Sequence, residues 1–369
     1  MPKNISLIYS KSGVNYQDLD PAKKLAQEAA QKTSKNLKEN GYEEISDTRG
    51  ESAFVWKQGN IFMVSVVEGL GTKNLVADIT SKITGKTYYD IIGHDTVATI
   101  INDLISVGAK ALTINAYWAV GKSDWFKNIR RTKDLIKGWQ SACNLAGVTW
   151  GGGETPTLKG IIQEESIDLG GSAVGIISPK KNLITDRKLK IGDRILLLKS
   201  NGINANGLSL AREIAKNLPK GYATKLSSGK IYGEALLTKT NIYAKLIQDL
   251  LKNRIDIHYI SNITGHGFRK IMRSRQNYTY VIENIFDPED LFLFIQKHAN
   301  LSDYEMYQTF NMGMDYALFV PKKDVEKTLK LIAKHKFEAI HAGYVEKGKR
   351  QVIIQPKNLI FKGESLDLR

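Results

Sequence analysis

A two-domain α/β (α+β) protein is what this sequence predicts, on three observations. The chain has 369 residues, more than a single core of roughly 100–200 residues accommodates. Each half repeats an apolar strand, a glycine-rich loop and a helical pattern. Between the halves, residues 178–193 hold Pro179, a lysine cluster and Gly192-Asp193, the composition of a linker. Domains at 1–178 and 179–369 are therefore expected.

A hydrophobic fraction of 42% and a charged fraction of 25% place the chain among ordinary soluble proteins. Cys143 is the single cysteine, so no disulfide forms within the chain, and a reducing cytoplasm is expected. The N-terminus lacks the basic-then-apolar layout of a leader, and no apolar run approaches the ~20 residues that cross a bilayer, so no membrane partner is expected. The formal charge of +15 is spread out, with modest clusters at 127–137, 180–190 and 322–336 and no basic stripe interleaved with aromatics. Nucleic acid is not the expected partner; the same charge would steer anionic small substrates.

In chain order, a polar arm carries Tyr9-Ser10-Lys11-Ser12-Gly13-Val14-Asn15. A helix is expected over 22–37, with Asp18 to Asp20 available as cap and Pro21 in the first turn. Two β-rich runs, 53–56 and 61–67, flank Gly59-Asn60 and predict a hairpin. Its second strand ends in Glu68-Gly69-Leu70-Gly71-Thr72-Lys73, a carboxylate, glycines, a hydroxyl and an ammonium that suit a metal and a phosphate. The composition is that of a P-loop, but the order is Thr72-Lys73 and the Gly-x4-Gly spacing is missing, so a phosphate site of another design is expected.

Residues 95–107 read as a helix with Val97, Ile100, Ile101, Leu104 and Ile105 as its apolar side. Asp95, Thr99, Asn102 and Asp103, at offsets of four, seven and eight, share a neighbouring stripe. That stripe either meets a cation or is a solvated face with Asp95 serving the helix dipole. A buried strand over 111–120 and a helix over 124–145 follow. The run Gly151-Gly152-Gly153-Glu154 is read as a loop touching ligand, since three glycines permit close backbone approach. An apolar strand over 168–177 closes the first half.

The second half opens with a strand at 195–198 and the turn Asn201-Gly202-Ile203-Asn204-Ala205-Asn206-Gly207, either an anion site at a helix N-terminus or a plain turn. A strand at 257–260 leads into Thr264-Gly265-His266-Gly267-Phe268, where one His between glycines does not make a zinc site. The segment 305–313, a strand through Phe319-Val320, a helix over 324–335 and strands at 340–344 and 352–356 complete the pattern.

Taken in register, the 9–14 arm, Gly69-Leu70-Gly71-Thr72-Lys73, Asn102-Asp103-Leu104, Gly151 to Thr155, Asn206-Gly207, Thr264 to Phe268 and Met306 to Gly313 resemble the phosphoribosylformylglycinamidine cyclo-ligase (aminoimidazole ribonucleotide synthetase) family of purine biosynthesis. The resemblance covers nearly the whole chain. It implies that family's two-domain fold, an N-terminal sheet forming a homodimer and an ATP site, and a C-terminal α/β domain. It also implies ATP-dependent ring closure of a formylglycinamidine ribonucleotide substrate, with ADP and phosphate released and Mg²⁺ as cofactor. Carried over by position, the catalytic set is Lys73, Asp103, Glu154 and His266. Gly69, Gly71, Thr72, Lys73, Gly152 and Gly153 would bind ATP phosphates. Asn204, Asn206, Gly207, Thr264, Gly265 and Gly267 would bind substrate, and Glu68, Asp95 and Asp103 would hold the metal.

The chain departs from the family pattern at several places. Glu68 stands for the usual Asp, Asn204 for the His of His-Ser-Asn-Gly, and His266 for a glycine, so His266 is a candidate replacement for the lost imidazole. The glycine-rich stretch upstream is reduced to Arg49-Gly50-Glu51-Ser52-Ala53-Phe54, and Lys239 and Asn241 replace a Pro and an Arg. Alternatives are an enzyme of the same scaffold with another ATP-dependent substrate, as in the selenophosphate synthetase, thiamine-monophosphate kinase or hydrogenase-maturation branches, or a non-catalytic nucleotide-binding paralogue.

Overall fold

The computed structural model describes residues 16–366, so the Tyr9-Ser10-Lys11 arm lies outside the described residues. The first helix, α1 (Tyr16–Lys32), begins before the expected start, and Pro21 lies inside it rather than in its first turn. A short α2 (Ser34–Glu39) follows, separated at Thr33, whose hydroxyl bonds back to the Ala30 carbonyl at 2.6 Å. Side chains in helices that bond their own preceding turn compete with the ladder, which accounts for the break.

Among the described residues the first sheet has six strands in the order β1-β2-β3-β6-β4-β5. They are β1 (Glu43–Glu44), β2 (Phe54–Gln58), β3 (Ile61–Gly69), β4 (Lys110–Val120), β5 (Thr149–Glu154) and β6 (Ile167–Ile177). Gln58 pairs with Ile61, so the expected hairpin closes on Gly59-Asn60. The triple glycine is strand, not loop: β5 runs parallel to β4 at the sheet edge, and a Cβ on Gly153 would meet the Ala116 carbonyl oxygen at 2.1 Å. There the glycine permits close strand packing.

One face of this sheet is covered by α4 (Tyr89–Ile105), which follows α3 (Lys73–Thr84). Across α4 lies α5 (Ile129–Ala146), and the helices approach closely because Gly93 and Gly138 face the opposing backbone. A Cβ at Gly138 would sit 2.0 Å from the Asp90 carbonyl oxygen. Sandwiched this way, α4 buries almost every side chain, including Asp95, Asn102 and Asp103. The expected helix over 124–145 is a 3₁₀ turn (Ser123–Lys127) and then α5, because Asn128 caps α5 by accepting from the Arg131 amide at 3.1 Å.

The second sheet has seven strands in the order β13-β12-β9-β11-β7-β10-β8 among the described residues. These are β7 (Arg194–Lys199), β8 (Tyr259–Asn262), β9 (Tyr278–Ile282), β10 (Met314–Val320), β11 (Ala339–Lys347), β12 (Gln351–Ile354) and β13 (Leu359–Lys362). Strand β10 is buried along its whole length, which fits its unbroken run of mostly apolar residues. Its exception is Asp315. Helices α6 (Leu208–Asn217), α7 (Tyr232–Ala235), α8 (Ala244–Lys252), α9 (Asp290–Ala299), α10 (Asp303–Thr309) and α11 (Val325–Lys334) belong to this half.

The two halves are stitched along α4 and residues 238–243. Lys73 Nζ lies 2.5 Å from Asp95 Oδ2 and 2.9 Å from the Thr238 carbonyl, while Asp95 Oδ1 accepts from the Thr240 amide at 2.8 Å. About two turns further along, Asn102 donates to the Asn241 carbonyl at 2.7 Å and accepts from the Tyr243 amide at 3.1 Å. The polar stripe of α4 is thus neither a solvated face nor a cation site at Asp95 and Asn102. It satisfies the backbone of a buried irregular segment, as buried amides and carbonyls require.

Candidate functional site

A cavity of about 240 Å³ lies where the halves meet. Glu68 reaches it from the end of β3, on the side of the strand that carries Val64 and Val66 toward α4. Asp103 reaches it from the last turns of α4, its Oδ1 held by the Asn262 amide of β8 at 2.7 Å. Thr264, His266, Lys270 and Arg273 close the other wall, and α1 lies over it with Asp20, Lys23, Lys24 and Gln27. The reduced 49–54 segment also lines it, through Gly50, Glu51 and Ser52.

Charges in the cavity are in balance, with Lys23, Lys24, Lys270 and Arg273 facing Asp20, Glu51, Glu68 and Asp103. Desolvation, reinforced by the Asp103 carboxylate beside it, pushes the Glu68 carboxyl up to about 7. Desolvation and the Arg273 guanidinium push Lys270 down to about 8, against the pull of Asp103 and Glu68. His266 occupies the left-handed region at φ 72° and begins a 3₁₀ turn (Gly267–Met272). Burial, then Lys270, Arg269 and Lys23, hold its imidazole down at about 2, with Nε2 3.5 Å from an Asp20 oxygen. As a substitute acid it is therefore poorly suited: it carries no imidazolium proton near neutral pH.

Of the expected site residues, Glu68, Asp103, Thr264 and His266 come together in this cavity. Lys73 does not: it points inward from the start of α3 and is fully enclosed with Asp95. In this structure Lys73, expected at phosphate, and Asp95, expected at metal, are paired with each other and do not line the cavity. Gly69, Gly71 and Thr72 form the bend between β3 and α3, with Gly71 at φ 73° and open space where a Cβ would stand. Glu154 is exposed on edge strand β5, separated from β3 by β6 and β4, about 14 Å at ordinary strand spacing. Gly152 and Gly153 lie with it, so this group is not part of the cavity.

Asn204, Asn206 and Gly207 sit at the turn before α6 and do not line the cavity either. Gly207, at φ 75°, packs against the Phe310 ring, and Asn204 is buried, donating to Asp315 Oδ2 at 2.8 Å. Gly265 and Gly267 shape the Thr264–His266 bend, where a Cβ on Gly267 would meet the Tyr307 carbonyl oxygen at 2.3 Å.

Asp315 and Lys270 were not singled out by motif. Lys270 and Arg273 stand three apart just after the glycine loop, a spacing that stacks them on one side of a 3₁₀ turn. Asp315 is fully enclosed, accepts from Tyr243 Oη at 2.6 Å, and is pushed up to about 7 by desolvation. A carboxyl that holds its proton more tightly folded than unfolded takes stability away as pH rises from about 4 to about 7. Asp315→Asn is accommodated by an amide flip of Asn204, whose Oδ1 has no partner and would accept the new NH₂. Urea unfolding at pH 5 and pH 8 should show the variant losing about 1–3 kcal/mol less than the wild type across that interval. Equal losses would show that Asp315 does not titrate there.

The comparisons with known proteins agree with this architecture. The N-terminal domain of AIR synthase related proteins matches residues 50–177, and the C-terminal domain matches residues 190–355. A phosphoribosylformylglycinamidine cyclo-ligase of Methanocaldococcus jannaschii is 35% identical over 289 residues, 78% of this chain and 79% of that protein. One of Clostridium perfringens is 33% identical over 353 residues, covering 95% of this chain and all (100%) of the relative. Among solved structures, a HypE–HypF complex aligns with a TM-score of 0.59 at 18% identity, over 86% of this chain and 93% of the other. A thiamine-monophosphate kinase from Stenotrophomonas maltophilia aligns with a TM-score of 0.57 at 13% identity, over 82% and 88%. Those two likenesses speak for the fold alone. With both domain types matched in order and relatives above 30% identity along most of its length, the chain belongs to the AIR synthase related protein family.

Proposed function

We propose that this protein is an ATP-dependent cyclo-ligase that closes the imidazole ring of formylglycinamidine ribonucleotide, giving aminoimidazole ribonucleotide, ADP and phosphate. The observation that carries it is the match, along most of the chain, to relatives named phosphoribosylformylglycinamidine cyclo-ligase, and the cavity where Glu68 and Asp103 meet Lys270 and Arg273 is compatible with it. The formyl amide oxygen attacks the terminal phosphorus of ATP, and the bond to the bridging oxygen breaks with its electron pair leaving on ADP. The amidine nitrogen then attacks the activated carbon. Phosphate departs with the C–O electron pair, and the attacking nitrogen and the former amide nitrogen each give up a proton, one of which ends on the phosphate. Such a sequence asks the protein for positioning and charge neutralisation more than for a nucleophile.

The residues present fit Mg²⁺. Glu68 and Asp103 offer hard oxygen donors that repel one another when the site holds only protein, and no group of three or more metal-ligating side chains occurs among the described residues. Mg²⁺ is commonly held by one or two carboxylates together with substrate phosphates and water, which is this donor set. When bound it supplies charge neutralisation to the phosphate oxygens. Thr264 offers a hydroxyl to the substrate from the cavity wall, and α1 lines the opposite side with Asp20, Lys23, Lys24 and Gln27.

A homodimer and a reducing cytoplasm belong to the same reading. Among the described residues no layer covers the sheet face away from α4, and Val67 on it is 78% exposed, with Leu112 and Tyr117 also exposed. A hollow of about 550 Å³ runs along it between Val67, Asn115, Tyr117 and Ser172. A second copy laid on this face would bury its apolar side chains, since large uncovered patches mark interaction sites. Val67→Glu should shift the protein to monomer in sedimentation velocity; an unchanged dimer would place the interface elsewhere. Cys143 is buried, and desolvation pushes its thiol up to about 11, which suits an unreactive cysteine in a reducing compartment. No helix of the described residues is long and apolar enough to cross a membrane.

The decisive assay is ADP release by purified protein given Mg-ATP and formylglycinamidine ribonucleotide, with Asp103→Asn as control. Substrate-dependent release that the control lacks supports the cyclo-ligase. ATP binding with no substrate-dependent release would direct the search to another acceptor.

A further inference from the structure

We propose that Lys270 is the lysine that contacts the terminal phosphate of ATP, the role its motif position suggested for Lys73. The assignment rests on the ATP-dependent reading above and follows from which cleft cations are already committed. Lys73 is enclosed against Asp95 and the Thr238 carbonyl, outside the cavity. Arg273 lines the cavity but spends its guanidinium on protein: Nε and Nη2 donate to the Gly50 carbonyl at 3.1 and 2.8 Å, and Nη1 donates to Ser52 Oγ at 2.8 Å. It also stands 3.7 Å from Glu51 Oε2. Lys23 and Lys24 sit on α1, and both have partners.

Lys270 differs from all of these. Its ammonium faces the cavity beside Glu68 and Asp103, acts on both carboxylates electrostatically, and closes no hydrogen bond or ion pair among the described residues. Its backbone is fixed, because the Lys270 carbonyl accepts from Ser261 Oγ at 2.7 Å, which ties the 3₁₀ turn to β8. An uncommitted point charge on a fixed backbone, next to the carboxylates proposed to hold the metal, lies where charge on the transferring phosphoryl group would be neutralised. A lysine placed this way meets the terminal phosphate but not a nucleotide that lacks it.

The test is calorimetric binding of ATP and of ADP, each with Mg²⁺, to the wild type, Lys270→Met and Lys270→Arg, together with ADP release in the presence of formylglycinamidine ribonucleotide. Lys270→Met should bind ADP as the wild type does and lose the preference for ATP over ADP by about tenfold or more. Its turnover should fall by about 10²–10³-fold. Lys270→Arg, which keeps the charge, should retain most of the ATP preference. If Lys270 only balances Glu68 and Asp103, the Met variant will melt at a lower temperature and keep both ATP preference and turnover, which overturns the assignment. Wild-type protein that prefers ATP but shows no substrate-dependent release would sink the cyclo-ligase reading while the Met variant still decides the lysine. Wild-type protein that binds no Mg-ATP would overturn both.

Discussion

Asp103→Asn should reduce substrate-dependent ADP release by at least about 10²–10³-fold and, in the same protein, raise the melting temperature of the ligand-free state. Both effects come from one carboxylate. Asp103 is fixed by Asn262 and stands beside Glu68, whose carboxyl is pushed up to about 7 by desolvation and then by Asp103 itself. An amide at this position keeps the oxygen that accepts from Asn262 and turns a donor toward Glu68 in place of a like charge. The fold loses a repulsion, and the proposed metal site loses one of its two anionic ligands. Sites that work by holding like charges together are a known reservoir of lost stability, so a gain of a few degrees alongside lost turnover is the signature of a functional carboxylate. A thermal melt without nucleotide and the ADP assay check the pair. Turnover within tenfold of the wild type, or a lowered melting temperature, would remove Asp103 from the centre of the site.

How far the sequence reveals this molecule depends on whether a signal is local. The hairpin at Gly59-Asn60 is legible because a two-residue turn and its flanking alternation are contained within fifteen residues of chain. Glu68 and Asp103 are legible for a similar reason: an apolar strand or helix that ends on a carboxylate delivers it to the rim of the sheet. The partners of Lys73 and Asp95 are not local. Lys73 finds Asp95 twenty-two positions away and the Thr238 carbonyl one hundred and sixty-five positions away, so nothing near either residue marks them as an interior pair. The triple glycine misleads for a different reason. Positive φ and close strand packing both call for glycine, and both occur here, Gly152 at φ 135° and Gly153 against the Ala116 carbonyl, without making a loop. Lys270 was readable in principle, three residues before Arg273 on a turn that follows a glycine loop, but the pairing carries meaning only once β3 and α4 bring two carboxylates opposite.

Lys73→Met should cost about 3–5 kcal/mol of unfolding free energy, measured in urea, with ATP affinity of the folded protein unchanged. Lys73 and Asp95 have no exposed side-chain surface, and the ammonium is shared between Asp95 Oδ2 at 2.5 Å and the Thr238 carbonyl at 2.9 Å. Methionine fills the same space but leaves Asp95 with only the Thr240 amide for its charge and strands the Thr238 carbonyl. Breaking one side of a buried pair costs far more than replacing both sides, so adding Asp95→Asn to Lys73→Met should recover a measurable part of the loss. Because the pair also clamps residues 238–240 to α3 and α4, the single variant should lose cooperativity between the halves, seen as a broadened transition. The opposite pattern, unaltered stability with ATP affinity reduced tenfold or more, would return Lys73 to the phosphate site. It would require the α3 N-terminus to release the side chain from Asp95 on nucleotide binding, leaving a buried carboxylate without its counter-charge. The cost of that unpaired charge makes a residue already facing the cavity the better phosphate ligand, and the two lysine variants measured side by side separate the roles.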